Sequence, residues 1–355
     1  MSGAPAPPSA AFIDFVAHWL DGQGYGEQEW SDQLAETLSH SSRTMQVAAE
    51  CRLERIITDA LGVAAFERVH DWFHRLASEG AAALGPLHRR FEFLVIVGAP
   101  RSGGTYLTAE AFNALGYDPQ EVPAAIAHDG FPDVAPRALW KHGNGWIDSL
   151  MRASEYLVML ELYFENPLRT TPTLIPKKIA KGICGGGLFK TILGPRTRYL
   201  LTIRHPIGCC ISTYEKSGGL SADGGFQVRS AIERWIWRDL VLTGVPASEL
   251  RQMDYFCAFV RYWEQFYIGL ALSGLVANCE CRVVPYGAES MQGIAQSLHE
   301  QCGSRRTPTR FVASARLDGR HPEWVERSRQ ALERVASVWQ LVGLRFPHAE
   351  LLECA

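Results

Sequence analysis

Three short, mostly apolar segments, at residues 91–97, 199–203 and 281–286, stand apart from stretches in which apolar residues recur three or four positions apart. Continuous runs of that length read as buried strands, and the wider spacing reads as helix. Val47, Cys51, Ile56, Ile57 and Leu61, followed by Val63, Phe66, Val69, Trp72, Phe73 and Leu76, keep helical spacing, so residues 12–80 read as helices with an aromatic stripe facing a core. A loop over 80–86 leads to the first strand, and a helix over 105–115 stops before Gly116, a C-cap glycine. Residues 174–178 read as a short strand in which Pro176 marks an edge or an end. Residues 289–301 read as a further helix. Strands alternating with helices predict an α/β fold, a P-loop-like, doubly wound parallel sheet flanked by helices with its ligand at the carboxyl ends of the strands. The expected organisation is a flexible, Pro/Ala-rich 1–11, a helical region over 12–90 and an α/β domain over 91–355.

The first strand runs directly into Ala99-Pro100-Arg101-Ser102-Gly103-Gly104-Thr105-Tyr106, a basic, Gly-rich, hydroxyl-bearing loop that opens a helix. Amides at a helix N-terminus carry partial positive charge, and glycine lets the chain approach an anionic oxygen, so the loop is an anion cradle suited to a nucleotide phosphate. A Walker A loop needs a Lys after its last glycine; here the cation precedes the glycines, which disfavours ordinary ATP or GTP binding. The strand over 199–203 runs into Arg204-His205-Pro206, with Ser212 eight residues past Arg204.

Together, P-[KR]-[ST]-G-x-T after one strand and R-x-P-x5-S after another, 103 residues apart, resemble the two donor signatures of sulfotransferases that use 3′-phosphoadenosine 5′-phosphosulfate (PAPS). The resemblance covers about residues 91–300, and Gly103-Gly104-Thr105 is similar to the heparan-sulfate 3-O-sulfotransferases at that point. It implies that Arg101, Ser102, Gly103, Gly104, Thr105 and Tyr106 hold the 5′-phosphosulfate, with Arg101 neutralising charge as the S–O bond breaks and Thr105 adding a hydroxyl donor. Arg204 and Ser212 would grip the 3′-phosphate, a task suited to a planar guanidinium. The product would be 3′-phosphoadenosine 5′-phosphate (PAP), formed without metal.

Transfer to an alcohol needs a base. Many cytosolic sulfotransferases place a His two residues after a Lys before the second motif, but Lys177-Lys178-Ile179-Ala180 supplies no His. Pro119-Gln120-Glu121 resembles a segment of mycobacterial trehalose sulfotransferases whose Glu is the base, which makes Glu121 the first candidate, with His128 and Asp129 in reserve. Lys177 or Lys178 would stabilise the bridging oxygen, depending on strand register. His205 reads as structural.

Composition narrows the class. A net charge of −3 gives no general attraction to nucleic acid or a heparin-like polyanion, although Lys177, Lys178, Lys181, Lys190, Arg196, Arg198 and Arg204 concentrate positive charge locally. The N-terminus reads as neither signal peptide nor membrane anchor, and nine cysteines with no zinc spacing read as reduced thiols of a cytoplasmic protein. The expected reaction is sulfuryl transfer to a hydroxyl, or an amine, of a small-molecule metabolite. The alternatives are a non-catalytic nucleotide-binding scaffold and a P-loop kinase. No Lys-x-x-x-Thr-Val dimer motif occurs, and oligomeric state stays open.

Overall fold

A computed structural model of the chain describes residues 8–22, 51–128, 145–164, 172–180, 193–216, 225–278, 280–314 and 322–353. The chain divides into two compact units, one of Met1–Phe93, Tyr117–Lys177 and Leu188–Arg196, the other of Leu94–Gly116, Lys178–Gly187 and Thr197–Ala355. Val47, Asp129, Lys181 and Lys190 lie outside the described residues.

Four parallel strands, β1 (Phe91–Val97), β2 (Thr173–Ile179), β3 (Arg198–Ile203) and β4 (Glu280–Pro285), form a sheet in the order β2-β1-β3-β4, flanked by helices. Their bounds differ from the apolar runs by a residue or two at most. β2 is an edge strand, which accommodates Pro176 because a proline cannot donate to a second neighbour. The order turns at β1, with β2 on one side and β3 on the other, the arrangement that opens a crevice at the carboxyl ends of the strands. Parallel register pairs Leu94 with Arg198 and Val97 with Leu201, so the chain leaves β1 and β3 at the same, carboxyl end of the sheet.

The first unit is built on α1 (Ala10–Asp21), α2 (Ala60–Glu79), α3 (Gly85–Arg90) and α5 (Gly145–Phe164), with α2 packed along α5. The expected loop over 80–86 is instead helical: Gly80–Leu84 forms a 3₁₀ turn and α3 follows at once, because the Ala-Ala-Ala-Leu run has no turn-forming residue and Pro86 suits a helix start. Glu161, nearly buried, takes hydrogen bonds from Arg68, Trp72 and Arg90, tying α2 and α3 to α5.

In the second unit α4 (Gly104–Ala114) packs on α9 (Ala288–Gln301), and α8 (Tyr255–Leu272) packs on α10 (Pro322–Leu341), α6 (Pro206–Lys216) and α7 (Ala231–Leu242). Trp263, Tyr267 and Trp339 are fully buried among these helices, and Phe256 stacks on Trp324 at 4.4 Å. No described helix is long and apolar enough to cross a membrane.

Candidate anion-binding site

The cradle follows β1 within the second unit. Gly98 has no room for a side chain: a Cβ would lie 2.6 Å from Ser102 Oγ and also against Thr202. Arg101 has φ 67°, the only positive φ at a non-glycine position among the described residues. That conformation costs an L-residue about 1–2 kcal/mol, so the surrounding structure has to hold it. Gly103, the N-cap of α4, has φ 92°, and a Cβ there would collide with Met291. Among the described residues the amides of Gly103, Gly104, Thr105 and Tyr106 have no acceptor, as expected of a helix start, where the positive end of the helix dipole lies.

Two arginines converge here. Arg101 is exposed, and its Nε donates to Ser212 Oγ at 2.9 Å. Arg204 is only 5% exposed and bridges two carbonyls, Arg101 O at 3.1 Å through Nη1 and Ser314 O at 2.7 Å through Nη2, with its guanidinium 4.2 Å over the Tyr286 ring. Gly208 makes this possible, since a Cβ there would lie 2.8 Å from Arg204 Nε. Ser212 therefore meets Arg101 rather than Arg204. Crowding by protein, and then the neighbouring Arg204 charge, hold the Arg101 pKa below the usual guanidinium value. Neither arginine has a carboxylate within ion-pair distance among the described residues.

A cleft of about 700 Å³ between α8 and α10 provides the contrast. Its walls include Val260 and Ile268, and its three arginines are all neutralised: Arg261 by Glu249 at 2.6 Å, Arg327 by Asp254 at 2.7 Å and Arg334 by Glu264 at 2.6 Å. No cradle residue lines it.

The remaining expected residues separate by side-chain direction. Ser102 is 2% exposed, and its hydroxyl is turned inward onto Ala99 O and Thr202 Oγ1. Thr105 is exposed on the first turn of α4, next to Gly104. The Tyr106 hydroxyl donates to Thr309 O at 2.7 Å, and burial followed by the Glu110 charge pushes its pKa up to about 12. Alternation along β2 separates the two lysines. The Lys178 stem lies against Gly104, where a Cβ would be 3.2 Å from its Cε. Lys177 is fully buried in the first unit, donating to His128 O at 2.8 Å and Ile126 O at 3.3 Å with its ammonium 4.2 Å over Tyr156.

Also in the first unit, Glu121 is exposed on a turn whose carbonyl accepts from Tyr163 at 3.4 Å, while His128 is fully buried. Among the described residues no cluster of His, Cys, Asp or Glu is placed to hold a metal.

No protein-family model matches the chain, and no curated protein or solved structure matches it. The site therefore has to be read from its own chemistry. Gly98, Gly208 and Tyr286 belong to it and were not singled out in the sequence. Two had a visible signal: Gly208 sits one helical turn past Arg204, and Tyr286 ends the run that forms β4, where its amide donates to Ile203 O at 2.7 Å.

His205, beside Arg204, is buried and accepts the Ile207 amide on Nδ1 at 3.3 Å, securing the first turn of α6. Burial first, then the Arg204 and His348 charges, lower its pKa from 6.5 to about 4. The folded protein resists protonation that the unfolded chain accepts, so this contribution is complete above pH 6.5 and is lost as pH falls toward 4. The gap corresponds to roughly 3 kcal/mol. His205→Asn keeps an acceptor without the titration. Urea unfolding at pH 7.5 and 4.5 should show a smaller acid loss in the variant by roughly 2–3 kcal/mol; parallel losses would exclude His205 as the origin.

Proposed function

We propose that the chain is a PAPS-dependent sulfotransferase that moves a sulfuryl group to a hydroxyl of a small cytoplasmic metabolite and releases PAP. The observation that carries this reading is the convergence of Arg101 and Arg204, without a carboxylate, on the acceptor-free amides that open α4. Two like charges held together at a helix N-terminus are stabilised by a polyanion, and their positions at the ends of β1 and β3 suit a P-loop-like nucleotide site.

PAPS supplies an activated sulfuryl group on a phosphate leaving group. The Gly103, Gly104 and Thr105 amides and Arg101 hold that phosphate, and Lys178, its stem along Gly104, supplies a positive charge for the bridging oxygen. Ser212 accepts from Arg101 and keeps its own proton to donate to phosphate. Arg204 retains three of its five N–H groups for the 3′-phosphate. As the acceptor oxygen bonds to sulfur, the S–O bond to phosphate breaks, and Glu121 takes the acceptor proton. Arg101 and Lys178 balance the charge left on PAP.

Thermal-shift titration with PAP, AMP and ATP tests the donor assignment. PAP should stabilise most, and Arg204→Ala should weaken PAP by roughly 1.5–3 kcal/mol, the value of a hydrogen bond to a charged group, while AMP loses little. Equal losses for both nucleotides would remove the 3′-phosphate role. Single-turnover transfer of labelled sulfur from PAPS to a metabolite extract separates an enzyme from a nucleotide-binding scaffold.

A further inference from the structure

Behind the cradle, hydrogen bonds close a buried ring. The Tyr267 hydroxyl on α8 accepts from Ala99 N at 3.2 Å and donates to Thr202 O at 2.8 Å. Ser102 Oγ donates to Ala99 O at 2.7 Å and lies 2.8 Å from Thr202 Oγ1, which is then the donor to it. Ala99, Ser102, Thr202 and Tyr267 are all 2% exposed or less. The ring thus encloses both ends of the turn in which Arg101 adopts its left-handed backbone. One helical turn earlier on the same face of α8, Trp263 Nε1 donates to Arg204 O at 3.0 Å.

A single turn of α8 therefore holds both arginine-bearing segments, Tyr267 the one after β1 and Trp263 the one after β3. Neither side chain bonds to the amides that open α4; each acts through the backbone it grips. We infer that Tyr267, seconded by Trp263, is a positioning residue that sets the spacing of Arg101 and Arg204 and so the anion affinity of the cradle. This rests on the reading of the cradle as an anion site. Because α8 packs on α10, where Trp339 Nε1 donates to Tyr267 O at 3.0 Å, the brace carries the ordering cost of the Arg101 backbone before any ligand arrives.

Calorimetric titration of the full chain with inorganic pyrophosphate tests the brace. Tyr267→Phe keeps the ring and removes both hydroxyl bonds; affinity should fall roughly five- to twentyfold. Ser102→Ala, a smaller change that carries the test should Tyr267→Phe not fold, should do the same. The double variant should lose no more than about twofold beyond the weaker single, because both open one ring. Ser154→Ala, which removes the hydroxyl bond of a buried serine to Leu150 O in α5, should lower the thermal midpoint without changing pyrophosphate affinity. Pyrophosphate affinity within twofold of the parent in Tyr267→Phe, or in Ser102→Ala, would overturn the inference. Should PAP bind no better than AMP while the pyrophosphate pattern holds, the donor reading fails and the brace stands. A parent protein that binds no pyrophosphate removes both.

Discussion

Glu121→Gln should lower turnover roughly 100- to 10,000-fold, the range expected when a general base is lost, while PAP affinity should stay near the parental value. The amide preserves the shape of the side chain and cannot take a proton from the acceptor. Of the two described candidates, Glu121 is exposed, and its turn is fixed by the Asp118 carbonyl and the Tyr163 hydroxyl, so the substitution should leave the backbone in place. His128 is fully buried, and its segment is anchored by Lys177, so acceptor access there requires the anchor to open. Steady-state turnover with PAP binding measured alongside decides the matter. Near-parental turnover in Glu121→Gln, with loss in His128→Ala or Asp129→Asn, would move the role to that residue.

Arg101→Ala should reduce turnover roughly 100- to 1,000-fold, the scale of removing one preorganised donor to developing charge, and weaken PAP much less. On the proposed reading, the contact with Arg101 strengthens as the leaving phosphate gains charge, so its loss should fall on the chemical step. Arg101→Gly sharpens the test. Glycine accepts φ 67° without steric cost, so this variant should be as stable as the parent or slightly more so, yet as slow as Arg101→Ala. Thermal midpoint and turnover measured on the same preparations should move independently. A variant that loses turnover only in proportion to stability would reduce Arg101 to a structural role.

Much of the architecture was legible because strands and helices are written in local periodicity. The apolar runs became β1, β3 and β4, Pro176 marked an edge strand, and Gly116 follows α4 with φ 91°. The Gly80–Pro86 stretch misled, since its end residues are turn formers and its interior is helical. Site details failed where they depend on partners far along the chain. Nothing near Arg204 indicates that Ser314 O, 110 residues on, takes one of its donors, or that Arg101 reaches Ser212 first. Only strand pairing separates Lys177 from Lys178. The segment 304–314 has no periodicity to read, because Glu110, Gln292 and His299 hold its backbone in place of a neighbouring strand or helix.

The strand order also sets when the site can exist during folding. β1 pairs with β3 across about a hundred residues, Leu94 with Arg198, so the two arginine-bearing turns meet only after a long loop has closed. Closing it costs entropy that no local contact repays in advance, and parallel pairings of this reach are slow steps. On the ribosome, the Gly-rich loop is complete in sequence at Tyr106, yet its left-handed turn has no Thr202 and no Tyr267 to hold it until much later. Anion affinity should therefore emerge with the last long-range contacts of the second unit rather than with the loop that carries its signature.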